Sequence, residues 1–498
     1  MTNRFPTEEF SESELIIGLV GAIGTELSKV TEILSERLSI AGYEVFEVRI
    51  SSHVIPRVAS VAEYHDEYGR ISNLMDAGNE ARKTSGDNGI LALGAASLIN
   101  TQRKEDKEEA PKRRAFIISS LKHPEEVQVL RKIYPEGFYL LCVFSDKERR
   151  HDYLRDNKRI IDEDKIAKLM DRDEDEHLDY GQLLRKTFYT ADFFVRIDGF
   201  GDRLKNDLWR IIDILFGNPY QTPTFHEYAM FLAFAASLRS GDLSRQVGAV
   251  IARDREILGT GANDCPRFGG GLYWPEYNEK EKKIRDFDNG RDYMRGYDSN
   301  QTEQVKIIDA IIKTGMAKGI EEELLRDILN KSKIADLTEY GRVVHAEMEA
   351  ILACGRNGVS CGLASLYTTT FPCHNCTKHI VASGIVRVVF IEPYPKSKAL
   401  ELHDDSISLE FHENHGAQRQ EKVCFEPFVG VGPRRFYDLF SIPPGTENYR
   451  KNEEGKVHDW QLEGARLKMQ MKPSSYIELE QVAIGLFDEF IETQGGSE

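Results

Sequence analysis

Two short stretches about 25 residues apart carry side chains that can act together, His345-Ala346-Glu347 and Pro372-Cys373-His374-Asn375-Cys376. One imidazole and two thiolates form a nitrogen–sulfur donor set suited to zinc. Three protein ligands leave the fourth tetrahedral position open to water, whose pKa zinc lowers to about 7. Glu347 lies two residues after His345, so on a helix it points to a different side and can move protons without binding the metal. Structural zinc sites are closed by four protein ligands. His374 is the extra donor nearby, but its place between the cysteines turns it elsewhere. The pattern predicts a hydrolytic metal centre with His345, Cys373 and Cys376 as ligands and Glu347 as the acid–base group. Cys265, Cys354, Cys361 and Cys424 read as buried or inert thiols.

These residues must be held by the elements around them. His345 opens a helix, and an apolar strand over 363–370 delivers Pro372 and Cys373 to the start of another helix, 376–383, before a strand at 387–392. Two helix N-termini then meet at one point, and both dipoles favour thiolates there. Upstream, 224–239 reads as a helix with Tyr228, Phe231, Leu232, Ala235 and Leu238 on one face. Strands at 245–252 and 256–262 form a hairpin. Asn263 closes the second strand, where a polar ligand group can be met. Residues 267–340 interrupt the pattern and read as a lid, an oligomer contact or a peripheral elaboration.

The N-terminal half opens with a strand at 15–20, a glycine-containing turn over Gly21–Ser28, a helix at 29–38 and a strand at 42–50. This is the start of a phosphate-binding α/β domain, since N–H groups at a helix start can cradle anions. Against G-x-x-x-x-G-K-[ST], Glu26 stands at the second glycine and Leu27 at the lysine, and only Ser28 fits. Either Gly21, Gly24 and Ser28 hold a phosphate, or the turn is retained scaffold. Helices at 89–99, 123–131 and 204–216 alternate with strands at 114–119, 138–144 and 191–197, as in a doubly wound parallel sheet. Asp146–Arg150 and Arg155 lie where a kinase carries lid arginines, or form an ordinary charged helix start. The acidic stretch 162–179 reads as a solvated helix face. Gly217-Asn218-Pro219 marks a boundary. The expected organisation is an α/β domain over 1–217, an α/β/α sandwich over 218–440 and a tail with a helix over 441–498.

A chain of 498 residues exceeds one hydrophobic core. A net charge of −17 disfavours a broad nucleic-acid face. Seven scattered cysteines point to reduced thiols. The longest apolar run, 228–236, is far short of the roughly 20 residues a membrane span needs. The first ten residues lack the apolar core of a secretory signal, so a cytoplasmic location without membrane contact is expected.

The spacing H-x-E…P-C-x-x-C is the general signature of zinc-dependent base deaminases. Ser244-Arg-Gln-Val-Gly-Ala249, Gly259-Thr-Gly-Ala-Asn263, His345-Ala-Glu347 and Pro372-Cys-x-x-Cys376 follow one another as in deoxycytidylate deaminases, which the chain resembles over roughly 239–395. With a degenerate P-loop kinase-like domain ahead of these motifs, the whole chain is similar to the bacterial anti-phage dCTP deaminases. That resemblance implies Zn²⁺-dependent conversion of free deoxycytidine nucleotides, dCTP and also dCMP, to deoxyuridine nucleotides with release of ammonia, starving phage replication. It further implies a homo-oligomer and a regulatory RNA partner. Asn263 would meet the sugar hydroxyl, and Tyr394 would border the base or else pack in the core. Arg434 and Arg435 would reach phosphates or be helix-surface arginines. The rival readings are a housekeeping dCMP deaminase and a deaminase of RNA or single-stranded DNA. The second would use Tyr273, Trp274, Arg291 and Arg295 of the insertion, although DNA is not the expected substrate.

Overall fold

The computed structural model describes residues 13–103, 113–174, 176, 178–198, 201–316, 321–330, 332, 334, 337, 339–392, 397–409, 421–442, 450–451, 454–471 and 473–495. The chain forms two compact units. The first comprises Met1–Glu227, Glu392–Tyr394 and Pro427–Glu498, the second Tyr228–Ile391 and Pro395–Glu426. This division differs from the expected segments: the chain rejoins the first unit at Pro427, and the tail belongs to that unit.

In the first unit, β1 (Leu15–Gly21), β2 (Glu44–Arg49), β3 (Arg114–Ser119), β4 (Phe138–Ser145) and β5 (Phe193–Ile197) pair in parallel in the order β5-β4-β1-β3-β2. Strand Gly430–Val431 adds antiparallel to β5. Every residue of β1 and β3 is buried, as continuous apolar strands must be when helices cover both faces of a sheet. Helix α1 (Leu27–Ile40) follows β1 and buries Val30, Leu34 and Leu38. Helix α2 (Ile90–Gln102) is mostly buried. Helix α3 (Glu163–Glu174) lies in the acidic stretch and buries Ile166, Leu169, Met170 and Asp173. The expectation of a solvated acidic face therefore fails at Asp173, which is fully buried. Helix α4 (Gly201–Leu215) packs Leu204, Leu208, Ile211 and Ile212 into the same core as α1.

The terminal helix Pro473–Gly495 seals the unit through a buried charge network. Arg103 Nη2 lies 2.7 Å from both Glu14 Oε2 and Glu480 Oε1, and both carboxylates are sealed from solvent. One guanidinium thus ties residues at either end of the chain to the end of α2.

In the second unit, helix α5 (Phe225–Ser237), which begins in the first unit, leads to β6 (Gly248–Arg253) and β7 (Glu256–Ala262). These two strands form the expected hairpin. Its two turn residues, Asp254 and Arg255, have φ of 53° and 65°, the backbone of a two-residue type I′ turn. Helix α6 (Ala346–Arg356), β8 (Ser365–Thr368), helix α7 (His374–Ala382), β9 (Arg387–Phe390), β10 (Ile407–Ser408) and β11 (Val423–Pro427) follow. The sheet order is β10-β11-β9-β8-β6-β7. β8 runs antiparallel to β6 and parallel to β9. Ala346 and Ala350 of α6 and Cys376 and Ile380 of α7 share a core with Leu366, Val388 and Phe390 of the sheet, so both helices are fixed on it.

Removing one member of a buried charge network strands its partners, at a cost of about 3–5 kcal/mol. Arg103→Met is therefore expected to destabilise the first unit by that amount, read as a lower urea midpoint. A midpoint unchanged from wild type would show that the network contributes nothing.

Candidate active site

His345 is the N-cap of α6, in an extended conformation with φ −68° and ψ 151°. Its position is set from two directions. Val344 and Asp264 exchange backbone hydrogen bonds of 3.0 and 3.2 Å, which pins the entry to α6 against the continuation of β7. The first turn of α6 then lies directly on β7 at Gly261. A Cβ there would stand 2.1 Å from Ala346 O and 2.5 Å from Ala350 N, so only glycine permits this approach.

Cys373 is the N-cap of α7, and its sulfur accepts a hydrogen bond from Cys376 N at 3.5 Å. The helix thus starts at His374, two residues earlier than the expected 376, because Cys373 itself caps it. The two capping residues bring the predicted donors together. His345 Nδ1 lies 3.4 Å from Cys373 Sγ and 3.3 Å from Cys376 Sγ, and the three donor atoms are all within 4.8 Å of one another. Among the described residues this is the one such group of His, Cys, Asp or Glu. His374 lies outside it. With Zn–N of about 2.0 Å and Zn–S of about 2.3 Å, a tetrahedral nitrogen–sulfur edge is about 3.5 Å. The donor set fits zinc as it stands.

Glu347 is buried on the first turn of α6. Its Oε2 accepts from Cys376 Sγ at 3.4 Å, and its Oε1 accepts from Thr368 Oγ1 at 3.5 Å. Burial raises the pKa of its carboxyl. A hydrogen bond from Cys376 draws the Cys373 thiol down to about 3, with His345 adding to the effect. The Cys373 sulfur in turn raises the pKa of His345. The sequence singled out these four residues and missed Thr368. Its only signal was a hydroxyl at the end of the strand leading to Cys373.

The other expected residues fare differently. The Asn263 side chain is committed locally: Oδ1 accepts from Val247 N at 2.6 Å and Nδ2 donates to Arg245 O at 2.8 Å. One further donor and lone pair remain to the amide. Tyr394 lies outside the described residues. Gly21, Gly24 and Ser28 belong to the first unit and line a cleft there. Arg435, read as a phosphate contact or a helix-surface arginine, is paired within the first unit with Asp192 at 3.2 Å. Arg434 stands over the Tyr189 ring. The candidate lid arginines are also paired, Arg149 with Glu26 and Arg150 with Glu174.

A sheet carrying two helix starts, a His/Cys/Cys donor set and a buried carboxylate beside it has the make-up of a catalytic zinc centre with one position left open. The family model described as the cytidine and deoxycytidylate deaminase zinc-binding region matches residues 223–392. Over 169 residues the chain is 31% identical to the deoxycytidylate deaminase of Enterobacteria phage T2, covering 34% of this chain and 79% of that one. The deoxycytidylate deaminase of Mycobacterium phage D29 is 29% identical over 174 residues, covering 35% and 96%. The dCMP deaminase of cyanophage S-TIM5 aligns at 16% identity over 42% of this chain and all of that one, with a TM-score of 0.23, too low to bear on the fold. The chain belongs to the cytidine and deoxycytidylate deaminase family, and zinc is the cofactor of this region. No helix among the described residues is long and apolar enough to cross a membrane.

The purified protein is expected to hold one zinc per chain by elemental analysis, and Cys376→Ser to lose most of it. Gly261→Ala forces α6 outward by about 1 Å, and a misplacement of that size costs about 10²-fold in turnover. Wild-type turnover in Gly261→Ala would show that the close approach does not position the site.

Proposed function

We propose that the second unit hydrolytically deaminates free deoxycytidine nucleotides, dCTP and also dCMP, to the deoxyuridine nucleotides. The observation that carries this reading is the buried Glu347 carboxylate, 3.4 Å from Cys376 Sγ beside the three metal donors. His345, Cys373 and Cys376 would hold the zinc, which would supply Lewis-acid activation of a water. Glu347 takes a proton from that water and delivers it to N3 of the cytosine. The water oxygen adds at C4. Glu347 then takes the proton of the hydroxyl added at C4 and passes it to the departing amino group, which leaves as ammonia while the C4 oxygen becomes the carbonyl. A carboxyl raised by burial suits this work, because it can hold a proton between the two transfers. Asn263, with its remaining donor, is the candidate partner of the sugar hydroxyl, and Tyr394 of the base.

The burial of Arg291, one of the insertion's candidate groove residues, supports a free nucleotide over a polynucleotide. Arg291 is buried and bound to Asp264 at 3.0 Å and Asp286 at 2.9 Å. Arg295 donates to Asn289 O, and Arg239 sits 3.6 Å over the Trp274 ring. Arg291 is thus spent inside the unit, while Trp274 and Arg295 stay exposed. The names of the relatives, deoxycytidylate deaminases, support a deoxycytidine monophosphate substrate. The extension to dCTP, to depletion of the dCTP pool against phage, to a cytoplasmic homo-oligomer and to an RNA regulator rests on the resemblance of the whole chain. A housekeeping dCMP deaminase is the second reading.

Glu347→Gln is expected to retain zinc and lose at least about 10²-fold in kcat. Near-wild-type turnover in a zinc-loaded variant would overturn the assignment. Incubation with dCTP, dCMP, CMP and a cytosine-containing oligonucleotide should give ammonia from the first two. Turnover of dCMP without dCTP would favour the housekeeping reading, and turnover of the oligonucleotide would contradict the proposal.

A further inference from the structure

The first unit contains a cleft of about 250 Å³ lined by the last residues of three parallel strands, Gly21, Arg49 and Ser119. Open parallel sheets receive ligands outside these carboxyl ends. The cleft is of the order of a small-molecule site, not of a polymer groove. Its lining carries Arg49, Arg70, Arg82, Lys122 and Lys158 against two acidic residues in a chain of net charge −17, with Glu67 pairing Arg70 and Lys158 and Glu126 pairing Arg82 from outside the lining. Arg82 is 2% exposed and donates from Nη2 to Glu126 at 2.6 Å and from Nη1 to Asn79 at 3.3 Å, while its Nε is buried without a hydrogen-bond partner.

An anion already sits in this cleft, and it belongs to the protein. Ile23 N–H, in the turn between β1 and α1, donates to Asp173 Oδ2 at 2.7 Å. Lys122 Nζ lies 2.7 Å from Asp173 Oδ1 and 2.8 Å from Gly21 O. The turn lacks the lysine expected at position 27, and Lys122, following β3, brings an ammonium to the turn from elsewhere. Gly24 has φ +85°, and a Cβ there would stand 2.5 Å from Arg150 O, so the turn is held in a shape other residues cannot adopt. A backbone N–H of a strand-to-helix turn plus an ammonium is the minimal seat for a phosphate oxygen. Here the carboxylate from the end of α3 fills it.

We propose that the cleft binds a small phosphate-bearing ligand of mononucleotide size, whose phosphate takes Ile23 N–H and Lys122 Nζ from Asp173. Two anions on one ammonium repel each other, so ligand and Asp173 exclude one another at the seat. Arg49, 43% exposed at the rim and paired with Glu47 at 2.9 Å, and Lys158 meet the rest of the ligand's charge.

The test is isothermal titration calorimetry of the full-length, zinc-loaded protein with AMP, inorganic pyrophosphate and ribose 5-phosphate, none of which can be deaminated at a cytosine. AMP is expected to bind saturably. Lys122→Met and Arg49→Gln should each weaken binding at least tenfold. Asp173→Asn, which keeps an acceptor for Ile23 N–H and removes the competing charge, should strengthen it severalfold. Zinc content and turnover of dCMP and dCTP, measured on the same samples, report folding and keep this outcome apart from that of the deaminase reading. If Lys122→Met does not fold, Arg49→Gln and Asp173→Asn decide. No saturable binding of any probe by the wild type, or binding indifferent to the Asp173 and Arg49 substitutions, overturns the proposal. Binding of pyrophosphate without AMP overturns its mononucleotide class.

Discussion

The second unit depends on one convergence: an imidazole and two sulfurs, 28 and 31 residues apart in sequence, meet at 3.3–3.4 Å. His345 and Cys373 are helix caps, Cys376 sits in the first turn of α7, and neither helix start is free to move. The α6 start is pressed onto β7 at Gly261 and tied to Asp264 through Val344. The α7 start is delivered by β8, which is paired on both sides within the sheet. Metal geometry tolerates little error, so the fold supplies it from rigid elements. Glu347 is fixed by the same turn that carries His345, which sets this buried carboxylate beside the three donors without a separate device.

The chemistry-bearing residues were legible because their types and spacing have few alternative uses. The hairpin was legible from two apolar strands around Arg253-Asp254-Arg255. The helix boundary at Cys373 was not, since a cysteine acting as N-cap has no propensity signal and reveals itself only in the bond to Cys376 N. Gly261 was read as part of a motif, but its steric role depends on a helix that begins more than eighty residues later. Asp173 shows the same limit in the first unit. Within an acidic run it looks like one more solvated charge. Its burial depends on Ile23, 150 residues away, and on Lys122.

The two units treat charge in different ways. The second gathers sulfur, nitrogen and one carboxylate and holds Arg291 and Arg342 internally, through Asp264, Asp286 and Asp292. The first keeps a basic cleft at the ends of a parallel sheet and balances it with a carboxylate of its own. Glu26 and Leu27 depart from the phosphate-binding pattern, yet the departure is compensated in part. Glu26 is turned to Arg149, and Lys122 reaches the turn from another segment. An apparently damaged motif can thus retain the physical elements of an anion seat while losing the sequence that advertises it.

The central claim is a three-ligand zinc with one open position beside Glu347. X-ray absorption at the zinc edge tests it most directly. The account predicts two sulfurs at about 2.3 Å, one imidazole and one further light atom at about 2.0 Å. A shell closed by a second imidazole or a third sulfur would contradict it.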